Sequence, residues 1–333
     1  LNDRGYASMT IEHDERGNAT CYSFFGTDGN PILSKECIAI ARMEYDERGL
    51  IVKKSCFGKD GKPTLNILGY ASCSKEYNEA GQVVREMYSG IDGELILTFK
   101  GYAGIENKYD ELGSKVGETY IGTDGKPMLR ENKYGNSYAG VEWELDEHGN
   151  LIKESYYGTD GKPYIINEGF ASATWEYDDD GNLLKESFLG TDGSLIIGKV
   201  EGFASRERKY DERGNLTRES YFGADGKPML NKEGVASIAM EYDERDHLLG
   251  KMYYGTDGKP LFIDALGFAG IEYEYDEQGR QIRETYLGAD GKPTSIIDYF
   301  GNSYASVESE YDENGEEIIR CYDADGNLVK ENK

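Results

Sequence analysis

The chain is one motif written ten times, and that periodicity limits its folds more than any local signal. The Asp of a Tyr-Asp dipeptide, or its substitute, stands at Asp14, Asp46, Asn78, Asp110, Asp146, Asp178, Asp211, Asp243, Asp276 and Asp312, at intervals of 32, 32, 32, 36, 32, 33, 32, 33 and 36 residues. A second ladder, the Asp of an Asp-Gly pair, runs Asp28, Asp60, Asp92, Asp124, Asp160, Asp192, Asp225, Asp257, Asp290 and Asp325. It lies 14 residues after the first, except in the last copy, where the offset is 13. A third landmark is a Gly-aromatic-Ala step, such as Gly69-Tyr70-Ala71, Gly169-Phe170-Ala171 or Gly267-Phe268-Ala269. A fixed period of this size means stacked units, each too small to bury its own apolar face.

Within one unit the residue pattern predicts strands and tight turns. In Ile271-Glu272-Tyr273-Glu274-Tyr275-Asp276 apolar and acidic residues alternate, as in a strand with one buried and one wet face. Val141, Trp143 and Leu145 against Glu142, Glu144 and Asp146 repeat the pattern. The following Asp276-Glu277-Gln278-Gly279 suits a type I turn that ends in a left-handed residue and a bulge, where glycine carries no Cβ penalty. Nine copies keep this glycine, Gly49, Gly149, Gly181, Gly214 and Gly279 among them, and Asp246 replaces it in the eighth. A second strand, Gln281 to Leu287, leads to a second turn whose glycine all ten copies keep, as in Gly161, Gly226 and Gly291. Positive φ is expected at these turn glycines. A short third strand, such as Tyr164-Ile165-Ile166, then leads into the next unit.

No segment has a sustained helical period. The expected fold is all-β, with almost no helix: one repeat array over 1–333, either a solenoid or a spiralling antiparallel sheet, of ten three-stranded units. The units run approximately 5–36, 37–68, 69–100, 101–136, 137–168, 169–201, 202–233, 234–266, 267–302 and 303–333. Leu1 to Ala7 matches the tail of a unit (compare Leu230 to Ala236), so the array is expected to continue upstream into further repeats or another domain. The more polar stretch Tyr322 to Asn327 is expected to cap the other end. The two 36-residue intervals hold Lys133 to Ala139 and Tyr299 to Ala305, five units apart. Either a five-unit block was duplicated or five units form a geometric period.

Charge narrows the function. With 63 Asp and Glu against 37 Lys and Arg, a net charge of −26, the chain lacks the basic stripes a nucleic-acid binder needs and is repelled by anionic membranes. No run approaches the roughly 20 apolar residues of a spanning helix, so no membrane insertion is expected. The cysteines Cys21, Cys37, Cys56, Cys73 and Cys321 form no CxxC pair and do not recur with the unit, which reads as ordinary thiols. His13, His148 and His247 are turn residues of separate units, and no nucleophile elbow, zincin, P-loop or dinucleotide glycine motif is present. Asp323-Ala324-Asp325-Gly326-Asn327 resembles the start of a calcium loop but lacks its late acidic ligand, and is read as a turn. No catalytic residue, metal or cofactor is therefore expected, and a carbohydrate-active enzyme is the least favoured reading.

Two periodic stripes remain as candidates for binding. Ten residues past the Tyr-Asp position stand Phe24, Tyr88, Tyr120, Tyr156, Phe188, Tyr221, Tyr253, Tyr286 and Tyr322, with Cys56 the one non-aromatic residue. The dipeptide's own tyrosines, Tyr45, Tyr77, Tyr109, Tyr177, Tyr210, Tyr242, Tyr275 and Tyr311, form a second stripe. Either stripe is core with its hydroxyls satisfied at a rim, or an exposed ladder that stacks sugar rings or anchors a protein. Eight residues past the dipeptide, Glu86, Glu118, Glu154, Glu186, Glu219 and Glu284 form a carboxylate ladder that must be solvated, paired across strands or bound to cations. The candidate binding residues are Tyr156 with Glu154, Tyr221 with Glu219 and Tyr286 with Glu284. Each pair is two apart on one strand and so shares a face.

At Tyr210-Asp211-Glu212-Arg213-Gly214-Asn215-Leu216-Thr217 the unit resembles the YD repeats of bacterial toxin shells and their animal relatives. At Ser155-Tyr156-Tyr157-Gly158-Thr159-Asp160-Gly161-Lys162-Pro163 it is similar to the aromatic-turn repeats of choline- and glucan-binding surface proteins. Each resemblance covers about half of every unit, and the period of about 32 residues departs from both. The first implies a long spiralling β-sheet on an exported protein. The second implies a surface solenoid that holds glycans or choline between aromatics, although this chain has only Trp143 and Trp175. The expected function is a non-catalytic repeat module of an exported or cell-surface bacterial protein, acting as spacer and as glycan- or protein-binding surface. The alternative is a cytoplasmic scaffold or sensor region beside an enzyme domain, a reading that the unpaired cysteines favour.

Overall fold

The computed structural model of the chain describes residues 1–311 and 317–332, and among them there is no helix. Asp312, the tenth Tyr-Asp position, lies outside the described residues, as does the side chain of Tyr311. The chain divides into two compact units, Leu1–Asn167 and Glu168–Lys333. The first contains the hairpins Ser8–His13/Ala19–Phe25, Ile40–Tyr45/Ile51–Phe57, Ser72–Tyr77/Val83–Ser89, Gly104–Tyr109/Lys115–Ile121 and Gly140–Leu145/Leu151–Tyr157. The second contains Ser172–Tyr177/Leu183–Leu189, Ser205–Tyr210/Leu216–Phe222, Ser237–Tyr242/Leu248–Tyr254, Gly270–Tyr275/Gln281–Leu287 and Ser306–Tyr311/Glu317–Tyr322, followed by the strand Leu328–Asn332. Within each unit successive hairpins join edge to edge into an antiparallel sheet, as where Arg283 to Thr285 meets Ser306 to Glu308.

The turns explain why the hairpins form where they do. In the first turn of the second copy the N–H of Gly49 donates to Asp46 O at 3.1 Å, and that of Asp46 to Leu50 O at 2.9 Å. Asp46 Oδ1 then accepts the N–H groups of Arg48 and Leu50, each at 2.9 Å. A type I turn closed in this way shifts the register by one residue between Glu44 and Tyr45, which is the expected bulge. The glycines Gly49, Gly149, Gly161, Gly181, Gly214, Gly226, Gly279 and Gly291 have φ between 73° and 86°. Asp246 takes the same conformation at 66°. A third turn of the same build, unrecognised as a turn from sequence, lies at the Gly-aromatic-Ala step. There Gly69 N–H donates to Asn66 O at 3.0 Å with φ of 85°.

The third strand is cut short by competition for an edge. Within a unit the outer edge of a second strand is taken by the first strand of the next hairpin, as where Lys185 to Ser187 pairs with Ser205 to Glu207. Only the strand's last residues remain for the segment after the second turn, which makes a single bridge such as Leu189↔Leu195 or Leu287↔Pro293. Among the described residues no hairpin follows Glu317–Tyr322, and Leu328–Asn332 pairs along its edge from Tyr322↔Leu328 to Ile319↔Asn332. The extra residues of the two long intervals form the small ladders Arg130–Glu131/Ser137–Tyr138 and Ile296–Ile297/Ser303–Tyr304.

Register also corrects one position of the aromatic stripe. Val307 pairs with Cys321, as Ala173 pairs with Phe188 and Val141 with Tyr156. The strand pairs of the last hairpin run from Ser306↔Tyr322 to Tyr311↔Glu317 without the one-residue register shift of the others, so counting along the chain runs one residue ahead of the structure. Buried Cys321 therefore occupies the stripe, and Tyr322 stands one place beyond it.

Candidate binding surface

Alternation along the strands gives the sheet two faces of different chemistry. On the first face the stripe tyrosines meet the aromatic of the Gly-aromatic-Ala step, which arrives from a distant loop. In the first unit Tyr70, Tyr88, Tyr102, Tyr120, Tyr138 and Tyr156 form a continuous stack with ring centroids 4.9–6.1 Å apart. In the second unit Phe170, Phe188, Phe203 and Tyr221 form one run and Tyr253, Phe268, Tyr286 and Tyr304 another. The buried aliphatic Val235 stands at the Gly-aromatic-Ala position between them. Tyr156 and Tyr221 are buried and Tyr286 is half-buried. Each buried ring of this kind contributes roughly 1.5–3 kcal/mol through area alone, and a favourable ring pair about 0.5–1.5 kcal/mol more.

The carboxylates predicted to share this face do so. The hydroxyls of Tyr120, Tyr221 and Tyr286 donate to Glu118, Glu219 and Glu284, two residues back on the same strand. Burial together with the adjacent carboxylate pushes these phenols well above their usual range. The cross-strand pairing that the sequence allowed for the ladder glutamates is made at Glu154, Glu186 and Glu219 by partners the sequence reading did not name. Trp143 Nε1–H donates to Glu154 at 3.0 Å, Trp175 Nε1–H to Glu186 at 3.1 Å, and Arg208 Nε–H to Glu219 at 2.7 Å. Burial alone raises the Glu219 pKa, but the bonds from Tyr221 and Arg208 outweigh it and hold the carboxyl below its ordinary value. The bulge sets these pairs eleven residues apart, a spacing recoverable from the turn type.

The second tyrosine stripe staples neighbouring hairpins. Tyr45, Tyr77 and Tyr109 donate their hydroxyls to Ala19 O, Ile51 O and Val83 O of the preceding hairpin at 2.7, 2.7 and 3.0 Å. Tyr275 does the same to Leu248 O at 3.0 Å. His148 and His247 stay in their turns, and His13 ends the strand Ser8–His13. His247 Nδ1 lies 2.8 Å from Asp243 Oδ2, and its ring stacks on Tyr275. Asp323 closes the last turn by accepting the N–H groups of Asp325 and Asn327 at 3.0 and 2.8 Å. No group of three metal-ligating side chains occurs among the described residues.

The opposite face carries ion pairs. Lys153 meets Glu144 at 2.7 Å and Lys185 meets Glu207 at 3.3 Å. These cations follow the strand alternation and leave the adjacent Glu154 and Glu186 to the other face.

No protein-family model and no curated protein matches the chain. Among solved structures it is similar to a chain of a Photorhabdus luminescens Tc holotoxin pore containing TccC3, at 15 % identity and a TM-score of 0.34, over 94 % of this chain and 14 % of that one. It is also similar to the TcdB2–TccC3–Cdc42 complex, at 13 % identity and 0.26, and to TcdB2–TccC3 alone, at 13 % and 0.25. This chain spans 20 % of the length of each of the latter two.

Proposed function

We propose that this chain is a non-catalytic architectural module of an exported or cell-surface protein, a repeat spacer that also presents a periodic binding surface. The observation that supports it is the use of the ladder rings. The residues best suited to ligand chemistry are packed against one another between successive hairpins, and the Tyr–Glu pairs are closed by hydrogen bonds at the rim. What remains accessible at each pair is a carboxylate edge beside a half-buried donor, as at Glu154 with Trp143. Such an edge suits neutral or cationic partners, a glycan or a protein, that engage several repeats with weak contacts.

The full chain tested on a panel of immobilised polysaccharides and basic proteins, beside the triple variant Glu154→Gln/Glu219→Gln/Glu284→Gln, examines this reading. Binding that the triple variant loses supports the surface role. Binding unaffected by the triple variant refutes these pairs as the site, and no binding at all leaves the spacer role alone.

A second reading, an intracellular scaffold, draws on the five free cysteines, of which Cys37 is exposed. Mass spectrometry of the protein isolated from its source distinguishes the two. A reduced Cys37 supports the intracellular reading, and an oxidised one the exported reading.

A further inference from the structure

The ion-pair face is built of triplets, and one triplet lacks its central member. Seven residues after each turn aspartate, the second strand carries a residue flanked by one residue of its own hairpin and one of the next. Where both flanking residues are glutamates, a cation stands between them. The triplets are Glu76–Arg85–Glu106, Glu176–Lys185–Glu207 and Glu274–Arg283–Glu308. The arginines reach both neighbours: Arg85 lies 3.8 Å from Glu76 and 3.3 Å from Glu106, and Arg283 lies 3.9 Å from Glu274 and 3.5 Å from Glu308.

At Glu241–Gly250–Glu272 the register is the same and the centre is glycine. Both glutamates are exposed, and neither carboxylate has a hydrogen bond or ion pair among the described residues. Above Gly250 runs a groove of about 370 Å³, walled by Met252, Tyr254 and Leu287. The glycine also draws the strands together, since a Cβ there would lie 2.8 Å from Ile271 O.

We propose that this groove is the docking site for one arginine side chain of a partner protein, whose guanidinium takes the place that Arg85 and Arg283 fill in their own triplets. The apolar walls suit the methylene stem of such a side chain. The several N–H groups of a guanidinium reach two carboxylates at once, which an ammonium does less well. Within this chain Lys185 pairs with Glu207 alone of its two neighbours. The net charge of −26 draws basic partners toward the surface.

The test is fluorescence anisotropy on the full chain, with a labelled five-residue peptide carrying one central arginine and the same peptide with neutral citrulline. The arginine peptide binds roughly fivefold tighter, the scale of two exposed ion pairs. The double variant Glu241→Gln/Glu272→Gln brings the two peptides to parity while changing the net charge only slightly. Glu241→Lys, which supplies a cation at the flank of the gap without placing a Cβ against Ile271 O, does the same by a different route. Equal binding of both peptides to the unaltered chain overturns the proposal, as does a preference that survives in the double variant. Spermidine bound through Glu241 and Glu272 without any arginine-peptide binding also overturns it, in favour of a free polyamine.

Discussion

Each half of the chain has one glycine where the charged row calls for a cation, Gly117 in the first and Gly250 in the second. Their surroundings differ. Around Gly117 the neighbour on its own hairpin is Lys108, which reaches over the gap to pair with Glu142. Around Gly250 both neighbours are glutamates and the gap stays open. The aromatic ladder shows the same kind of adjustment. Most stripe tyrosines have a glutamate two residues back to accept the hydroxyl, as Tyr120 has Glu118 in the first half. Phe188 in the second half has no hydroxyl to offer, and Glu186 is held by Trp175 and Arg206 instead, the latter at 2.7 Å. A repeat tolerates substitution when a neighbour changes with it, because a buried polar group left alone costs about 1–3 kcal/mol. Gly250 is a place where no neighbour changed.

Removing a ladder ring from each half gives the largest expected effect. Tyr120→Ala and Phe188→Ala each lose about 3–5 kcal/mol by urea unfolding, through the cavity and the lost stacking. Tyr120→Ala is the costlier by roughly 1 kcal/mol, since it also strips Glu118 of a donor. Equal losses would break the link between hydroxyl and carboxylate.

Turn substitutions come next. Gly161→Val and Gly291→Val force a branched residue into φ of 73° and 74°, at a cost of about 1–2 kcal/mol each. Hydrogen exchange should rise in the hairpins beside the altered turn and stay low elsewhere in the same half. Uniform loss of protection would remove the picture of locally stacked repeats.

The pH extremes probe both halves at once. Burial pushes the phenols of Tyr70 in the first half and Tyr273 in the second up to about 12. A raised folded value stabilises below the unfolded pKa near 10 and is lost as pH rises through about 12. Absorbance titration of Tyr70→Phe and Tyr273→Phe should each lose one late-ionising phenol. At the acid end, the His247 side chain holds Asp243 down to about 2. That contribution is present above about pH 4 and is lost as pH falls through about 2. Asp243→Asn should flatten the acid limb of the stability curve.

The smallest effect sharpens the opening comparison most directly. Lys108→Glu reproduces at Gly117 the flanks of Gly250 and should create a second arginine-peptide site there. Glu241→Lys should close the site at Gly250. Both changes leave thermal stability nearly unaltered, as exposed pairs do.

Much of the local structure was legible in the residues. Asp46 followed by Gly49 specifies its turn because a carboxylate accepts backbone N–H groups at fixed offsets and glycine accepts positive φ. Alternation in Ile271 to Asp276 specifies two faces, and the placing of Tyr221 with Glu219 follows from it. These are interactions between residues close in the chain, and their geometry depends on little else.

Other features required the fold. Tyr102 fills the space between Tyr88 and Tyr120 only because a loop carries it there, so the burial of the stripe depends on a partner distant in sequence. Cys321 replaced Tyr322 in the ladder because the strands Ser306–Tyr311 and Glu317–Tyr322 pair without the register shift of the other hairpins. The third strand shrank to a bridge because another hairpin took its edge. The open triplet at Gly250 likewise exists only after two hairpins place Glu241 and Glu272 on either side of it. Local turn chemistry acts over four or five residues, whereas edges, stacks and charge rows are shared between hairpins and take their form only when the strands pair.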